Sequence, residues 1–390
     1  MVKPEREETI GRGHGLAIHR LVEQNLGGEE IDDFIAAHTF PIVEGRYTTF
    51  VYRGTADAVY LGHWIYGLPS SQKFHHLDGT DLWYLVMELP QASRIEYKLQ
   101  RVHLGKMEWL LDPLNPRRAS DPFGENSVCS TAGYEVSEWT QPDPDARPGT
   151  LKEMIFESAA LGGPRRVVLY LPARFRPTRR YDLLVVHDGP EYIQYSGMKT
   201  VLDNLIYRLE IPGLIVAFTH PEKRLVEYAN HEPHARYLAE ELVPFLEREF
   251  PLLAGPRHRG LMGASFGAVA SLSTAWRYPG TFGRLLLQSG SFAFTDIGNH
   301  QKGPVFDPVV EFMNAFRDEP REVSEKVFVS CGTFEALIYE NRSLVPFLQK
   351  AGMEVRYVEA RDGHNWENWR DRMREGLSWL FPGPLWMVYE

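Results

Sequence analysis

The alternation of apolar and polar positions changes period near the middle of the chain. In the first part, short apolar runs are repeatedly cut by turn residues. Residues 48–53 stop at Gly54, 58–61 at Gly62 and 82–87 near Pro90, and 94–99 follow. Runs of this length, rich in β-branched and aromatic residues and with no helical repeat between them, predict an antiparallel β-sandwich. Ahead of them Ile31, Phe34 and Ile35 recur at three- and four-residue spacing, which predicts a short helix over 29–38 packed on the strands.

Past residue 150 the rhythm alternates. Residues 151–157 and 165–171 read as an antiparallel pair across Leu161-Gly162-Gly163-Pro164. Strands then follow at 181–187, 213–218, 260–262, 284–287, 326–330 and 355–359, with helices at 198–209, 234–250 and 266–277. Near-continuous apolar strands separated by helices predict an α/β domain whose mostly parallel central sheet is covered on both faces. Between the two patterns, Thr140 to Gly149 carries three prolines and several charges and reads as a linker. The expected plan is a helical lead-in over 1–39, a smaller all-β sandwich over 40–140, a Pro-rich linker over 141–150 and the α/β domain over 151–390.

Composition narrows the class. A chain of 390 residues exceeds one ordinary core, and 43% hydrophobic with 24% charged residues is a globular balance. Forty-two basic against 52 acidic residues give a net charge of −10 without a basic stripe, which argues against a nucleic-acid partner. The longest apolar runs, such as 183–186, fall far short of the ~18–20 residues of a membrane span. Cys129 and Cys331 lie in different expected domains, and the opening Met1-Val2-Lys3-Pro4-Glu5 lacks an apolar secretion signal. Both point to a reducing, cytoplasmic setting.

The chemistry starts at Gly263-Ala264-Ser265-Phe266-Gly267. The pattern G-x-S-x-G says little alone, but here a buried strand precedes it and a helix ended by Tyr278-Pro279-Gly280 follows. That is the strand–turn–helix setting of a nucleophile elbow, with the Phe266 N–H as one oxyanion donor. A serine hydroxyl needs a base near neutral pH. The histidines after it are His300 and His364, and His364 sits on the loop after the last strand, where the base belongs in this chain order. The acid belongs after the preceding strand, where Glu335 is best placed and Glu340 lies one helical turn on; a Ser–His dyad also stays open. Asp362 is too close to His364 to turn back onto it. His187-Asp188-Gly189-Pro190 ends the 181–187 strand, where a second oxyanion donor is kept, and the N–H of Gly189 or Glu191 could serve. Asp188 itself reads as a turn-forming residue.

Together these segments resemble the enterochelin esterase family of α/β-hydrolases, within the wider esterase D and feruloyl-esterase-like group. The likeness spans about 150–382. It is carried by His187-Asp188-Gly189, Arg224-Leu225-Val226-Glu227-Tyr228, Glu241-Leu242-Val243-Pro244, the Gly263–Gly267 turn and Gln288-Ser289-Gly290-Ser291-Phe292. Gly332-Thr333-Phe334-Glu335, Asn341-Arg342, Asp362-Gly363-His364 and Trp369-Arg370 complete it. The first half is similar to early-set immunoglobulin-like modules through Ala58 to Leu61, Gly79 to Trp83, Arg94 to Lys98 and Asp112 to Pro116.

The resemblance implies a cytoplasmic serine hydrolase of a catecholate trilactone, with Ser265 and His364 carried over by their motifs. Glu335 matches an acidic position whose role is either triad member or substrate contact. A ferric tris-catecholate is a trianion, and Lys223, Arg224, Arg277 and Arg370 offer a local positive rim. Trp366 and Trp369, just after the base, either stack on an aromatic acyl group or pack the helix they begin.

The expected activity is therefore ester hydrolysis on a small molecule, with no metal or organic cofactor required by the chemistry. Acylated sugars are the rival substrates, and a non-catalytic carbohydrate-binding protein with a vestigial hydrolase fold is the rival class. In the first half, Trp64, Tyr66 and Trp83 read as core strand residues or as a binding face. The physiological ester and the oligomeric state are not legible in the residues.

Overall fold

The structure is a computed structural model that describes residues 15–23, 28–295 and 302–384. These fall into two compact units. One runs to Glu135 and also takes in Arg361–Gly363; the other comprises Val136–Ala360 and the chain from His364 onward.

The first unit is all-β apart from its lead-in. One antiparallel sheet runs Ile42–Glu44, Tyr47–Arg53, Leu82–Glu88, His75–His76. The other runs Ser71–Lys73, Ala58–His63, Arg94–His103, Gly124–Ser130, Arg118–Asp121, with Lys106–Leu110 paired to the far end of Arg94–His103. Short polar strands such as Arg118–Asp121 carry no apolar run and escape a pattern reading. The lead-in has two helices, Ala17–Glu23 and Gly28–Ala37, where the spacing predicts only the second. Ile18, Leu21 and Ile31 are buried with Phe40, Val51 and Leu82, so the lead-in packs on the strands as expected. Trp83 is a core residue whose indole donates to Gly54 O at 3.2 Å, whereas Trp64 and Tyr66 are exposed.

The break between units falls ahead of the stretch read as a linker. That stretch is tied to the second unit by buried polar groups that need partners. Asn204 Nδ2 donates to Trp139 O and Gln141 O, both at 2.7 Å, and Gly149 N donates to Asp203 Oδ1 at 2.7 Å.

The second unit is built on eight strands. These are β1 (Thr150–Ser158), β2 (Gly163–Leu171), β3 (Asp182–Val186), β4 (Leu214–Thr219), β5 (Arg259–Ala264), β6 (Arg284–Gln288), β7 (Lys326–Gly332) and β8 (Glu354–Ala360). Their order is β1-β2-β4-β3-β5-β6-β7-β8. The β1–β2 and β2–β4 pairs are antiparallel and every later pair is parallel, so the sheet is mostly but not wholly parallel.

The continuous apolar runs have a direct cause. In β3, Leu183 and Val185 enter one core while Leu184 and Val186 enter the core on the opposite face, because successive side chains of a strand alternate. Four helices frame the site: α1 (Gly189–Gln194), α2 (Phe266–Arg277), α3 (Ile338–Lys350) and α4 (Trp366–Leu380).

The helix expected over 234–250 is interrupted. Glu232–Arg236 and Val243–Glu249 are α-helical, but Tyr237–Leu242 between them is a π-helix. Pro244 explains this, since its ring lacks an N–H and would collide with the carbonyl of Glu240, and a widened turn relieves the clash.

Candidate active site

The turn that carries Ser265 is dictated by two glycines. A Cβ on Gly263 would come within 2.4 Å of the Gly267 backbone, so strand β5 can meet helix α2 this closely only if position 263 has no side chain. Ser265, between them, has φ 56° and ψ −120°, a strained setting for a residue with a side chain. The strain is held by hydrogen bonds on both sides: Ser265 N donates to Gln288 O at 2.9 Å, and Ser291 N donates to Ser265 O at 3.2 Å. The Ser265 and Ser291 hydroxyls lie 3.1 Å apart. Phe266 and Gly267 open α2, so their N–H groups have no acceptor within the helix.

The carboxylate and the imidazole come from the two loops expected to supply them. Glu335, 3% exposed, follows β7. Its Oε1 accepts from Ser289 Oγ at 2.6 Å and from Gly332 N at 2.7 Å, and its Oε2 is 2.7 Å from His364 Nδ1. Of the two glutamates, Glu335 is the one in contact with this imidazole. Glu340 is instead paired with Lys302 at 2.8 Å, on the first turn of α3. His300 lies outside the described residues. Asp362 accepts from the next residue's N–H, Gly363 N, at 2.7 Å.

His364 sits on the loop before α4, where Asn365 caps the helix by accepting from Asn368 N at 2.9 Å. The cap fixes the helix start two residues after the imidazole. Behind the imidazole stands Trp369, edge-on to it at 5.1 Å between ring centres.

Trp369 departs from the substrate-stacking alternative. It is only 5% exposed, its Nε1 donates to Ser289 Oγ at 2.9 Å, and Trp366 covers it at 4.7 Å in a T-shaped contact. Its hydrogen-bond acceptor and its aromatic neighbour are both supplied by the protein, since residues three apart share one helix face and bring Trp366 against it. Trp366 is the more open of the two, flanked by Tyr192 and Tyr195.

On the opposite side, Gly189 begins α1 directly against Phe218; a Cβ there would come within 2.3 Å of the Phe218 side chain. Asp188 just before it is left-handed, with φ 51°. Its N–H donates to Tyr228 Oη at 3.0 Å, and Arg224 grips its carboxylate through Nε at 2.9 Å and Nη2 at 2.7 Å. Asp188 therefore serves the turn, as its position suggests. Arg224, partly exposed, is oriented by it with Nη2 at 3.5 Å from Ala264 O, next to Ser265. Two other members of the predicted rim are engaged elsewhere: Arg277 on Asn230 and Arg370 on Asp371.

Sequence reasoning missed a buried pair beneath this turn. His187 and His234 face each other at 3.1 Å between Nε2 atoms, and His187 Nδ1 lies 3.1 Å from both Ser271 Oγ and Met262 O. Burial pushes His187 down to about 4, and burial with the neighbouring His187 pushes His234 the same way. Both rings are neutral in the fold. Below pH ~6.5 the unfolded chain takes up protons that the folded chain refuses, so stability falls as the pH drops from 6.5 toward 4. His187 alone accounts for about 3 kcal/mol of that loss. Thermal unfolding at half-unit steps from pH 7.5 to 4.5 is expected to show a falling Tm, with a shallower slope for His234→Gln. A Tm independent of pH over that range would contradict a neutral pair.

The sheet order, the strained serine turn and the family match below define a carboxylic-ester hydrolase. The match is to the model of the Esterase family, described as putative esterase, over residues 158–380. That is more than half of the chain, and the chain belongs to this family. It is similar to the iron(III) enterobactin esterase of Dickeya dadantii, 23% identical in an alignment 351 positions long that covers 80% of each protein. Among solved structures, the enterobactin esterase of Shigella flexneri in the presence of enterobactin superposes with a TM-score of 0.72 at 19% identity, over 90% of this chain and 97% of that one. A ferulic acid esterase from Anaeromyces mucronatus in complex with ferulic acid gives 0.52 at 15% identity, over 63% and 95%.

Proposed function

We propose that the protein is a serine esterase acting through an acyl-enzyme, with Ser265 as nucleophile, His364 as base and Glu335 as the acid that orients it. The observation that carries this is the 2.7 Å contact of Glu335 Oε2 with His364 Nδ1. A proton held on Nδ1 leaves Nε2 as the basic nitrogen. His364 takes the Ser265 proton as Oγ attacks the ester carbonyl, then passes it to the leaving alcohol. Water repeats the sequence on the acyl-enzyme and releases the acid. The Phe266 N–H and the Gly189 N–H receive the oxyanion, one from each side of the turn.

The substrate we favour is a catecholate siderophore trilactone or a related small ester. The enterobactin esterases it resembles support that reading, as does the guanidinium of Arg224 beside the nucleophile strand, which suits an anionic substrate. Trp366 is the aromatic best placed to meet an acyl group. Two buried free thiols, Cys129 and Cys331, accord with a cytoplasmic enzyme. We read the all-β unit as an early-set immunoglobulin-like module.

The second reading is an esterase of acylated sugars, favoured by the likeness to a ferulic acid esterase. Mass spectrometry of products from a ferric catecholate trilactone, with Ser265→Ala as the blank, separates them. Stepwise addition of water by the wild type alone is the expected result. An intact trilactone alongside cleavage of a feruloyl sugar would move the assignment to the second reading.

A further inference from the structure

We propose that Trp369 and Ser289 are positioning residues that fix the acid and thereby the base. The inference rests on the serine-esterase reading and adds two residues to it.

The direction of the hydrogen bonds follows from chemistry. An indole N–H can only donate, so at 2.9 Å Ser289 Oγ is the acceptor. Ser289 has a single hydroxyl proton, and at 2.6 Å from Glu335 Oε1 it gives that proton to the carboxylate. Gly332 N–H adds a second donor to the same oxygen. Among the described residues, Oε1 is thus held by two donors and Oε2 faces one, the His364 Nδ1–H.

The same indole touches the other end of the pair, with its ring perpendicular to the His364 imidazole at 5.1 Å. One buried side chain therefore braces the acid through Ser289 and the base through its ring. Two further features show that the arrangement is built. Ser289 holds a left-handed backbone, φ 46°, that a serine adopts only where the surroundings over-determine it. Gln288 Nε2 donates to the Trp369 carbonyl at 2.8 Å, locking α4 to the end of β6 at the same level.

A substrate-stacking Trp369 and a bracing Trp369 make opposite kinetic predictions. The full chain is assayed on 4-nitrophenyl acetate as wild type, Trp369→Phe, Ser289→Ala and the double variant. Trp369→Phe keeps a ring against His364 but deletes the N–H. Each single change is expected to lower kcat about tenfold, equivalent to ~1.4 kcal/mol, with KM within about twofold. Because both cut one chain of hydrogen bonds, the double variant is expected to match Ser289→Ala rather than multiply the losses. The far-downfield proton resonance of the His364–Glu335 hydrogen bond should shift or broaden in both.

Unchanged kcat in folded variants, multiplicative losses, or a raised KM at constant kcat would each overturn the relay. Ser289→Ala removes one oxygen atom and carries the test if Trp369→Phe fails to fold. Labelling of wild-type Ser265 by a fluorophosphonate is measured in parallel. An unlabelled Ser265 refutes the serine-esterase reading itself, and the relay with it; a labelled Ser265 with unchanged variants refutes the relay alone.

Discussion

Ser265→Ala is expected to leave a folded chain that no longer turns over ester, with kcat lower by four orders of magnitude or more. The fold should survive because, among the described residues, the hydroxyl makes one hydrogen bond, 3.1 Å to Ser291, and such a bond contributes about 1 kcal/mol. The strained backbone at φ 56° is kept by the Gln288 and Ser291 contacts, which an alanine also makes. Its chemistry has no substitute at that turn: oxyanion donors and a base without a nucleophile leave only what water can do. The measurement is burst and steady-state hydrolysis of an aryl ester, together with fluorophosphonate labelling. Wild-type rates from Ser265→Ala would sink the acyl-enzyme mechanism.

The second large effect is expected from Glu335→Gln, and it separates the two roles that the sequence leaves open. All three partners of this carboxylate are donors: Ser289 Oγ–H, Gly332 N–H and His364 Nδ1–H. An amide can accept at one end only. Gly332 N–H cannot reverse, so the amide oxygen takes the Oε1 place and the NH2 group faces His364. Nδ1 must then become an acceptor, which moves the ring proton to Nε2 and removes the base. A loss in kcat of ~10³–10⁴ with little change in KM is expected, in line with carboxamide replacement in a triad of this type. A residue that merely touched substrate would instead raise KM and leave kcat nearly intact. Steady-state kinetics of Glu335→Gln decides between them.

The places where pattern reading stopped have physical causes. The strands of the α/β unit were legible because both their faces are buried, which demands long apolar runs. Lys106–Leu110 and Arg118–Asp121 were not, because a short strand with few or no buried side chains is specified by its partner rather than by its own residues. The Ala17–Glu23 helix has only Ile18 and Leu21 facing inward, too few to set a period. Pro244 was visible, yet whether a helix kinks, ends or widens at a proline depends on what packs around it.

At the site, motif and chain order pointed to Ser265, His364 and Glu335, since a strand–turn–helix forces glycines at fixed offsets and loops after successive parallel strands gather at one sheet end. Ser289 and Ser291 stood inside a recognised segment with no role attached, and the His187–His234 pair gave no signal. Two side chains 47 positions apart meet only through the packing of separate elements.

The amino-acid sequence by itself determined the alternation of strands and helices, the sharp serine turn and the order of the reactive residues, because these are local consequences of side-chain size, periodicity and glycine placement. Only the tertiary structure decided which glutamate meets the imidazole, that Trp369 stands behind it and that Arg224 is held by Asp188. Those outcomes depend on distances of a few tenths of an ångström between loops far apart in the chain, and hydrogen bonds have no strength until such distances are closed.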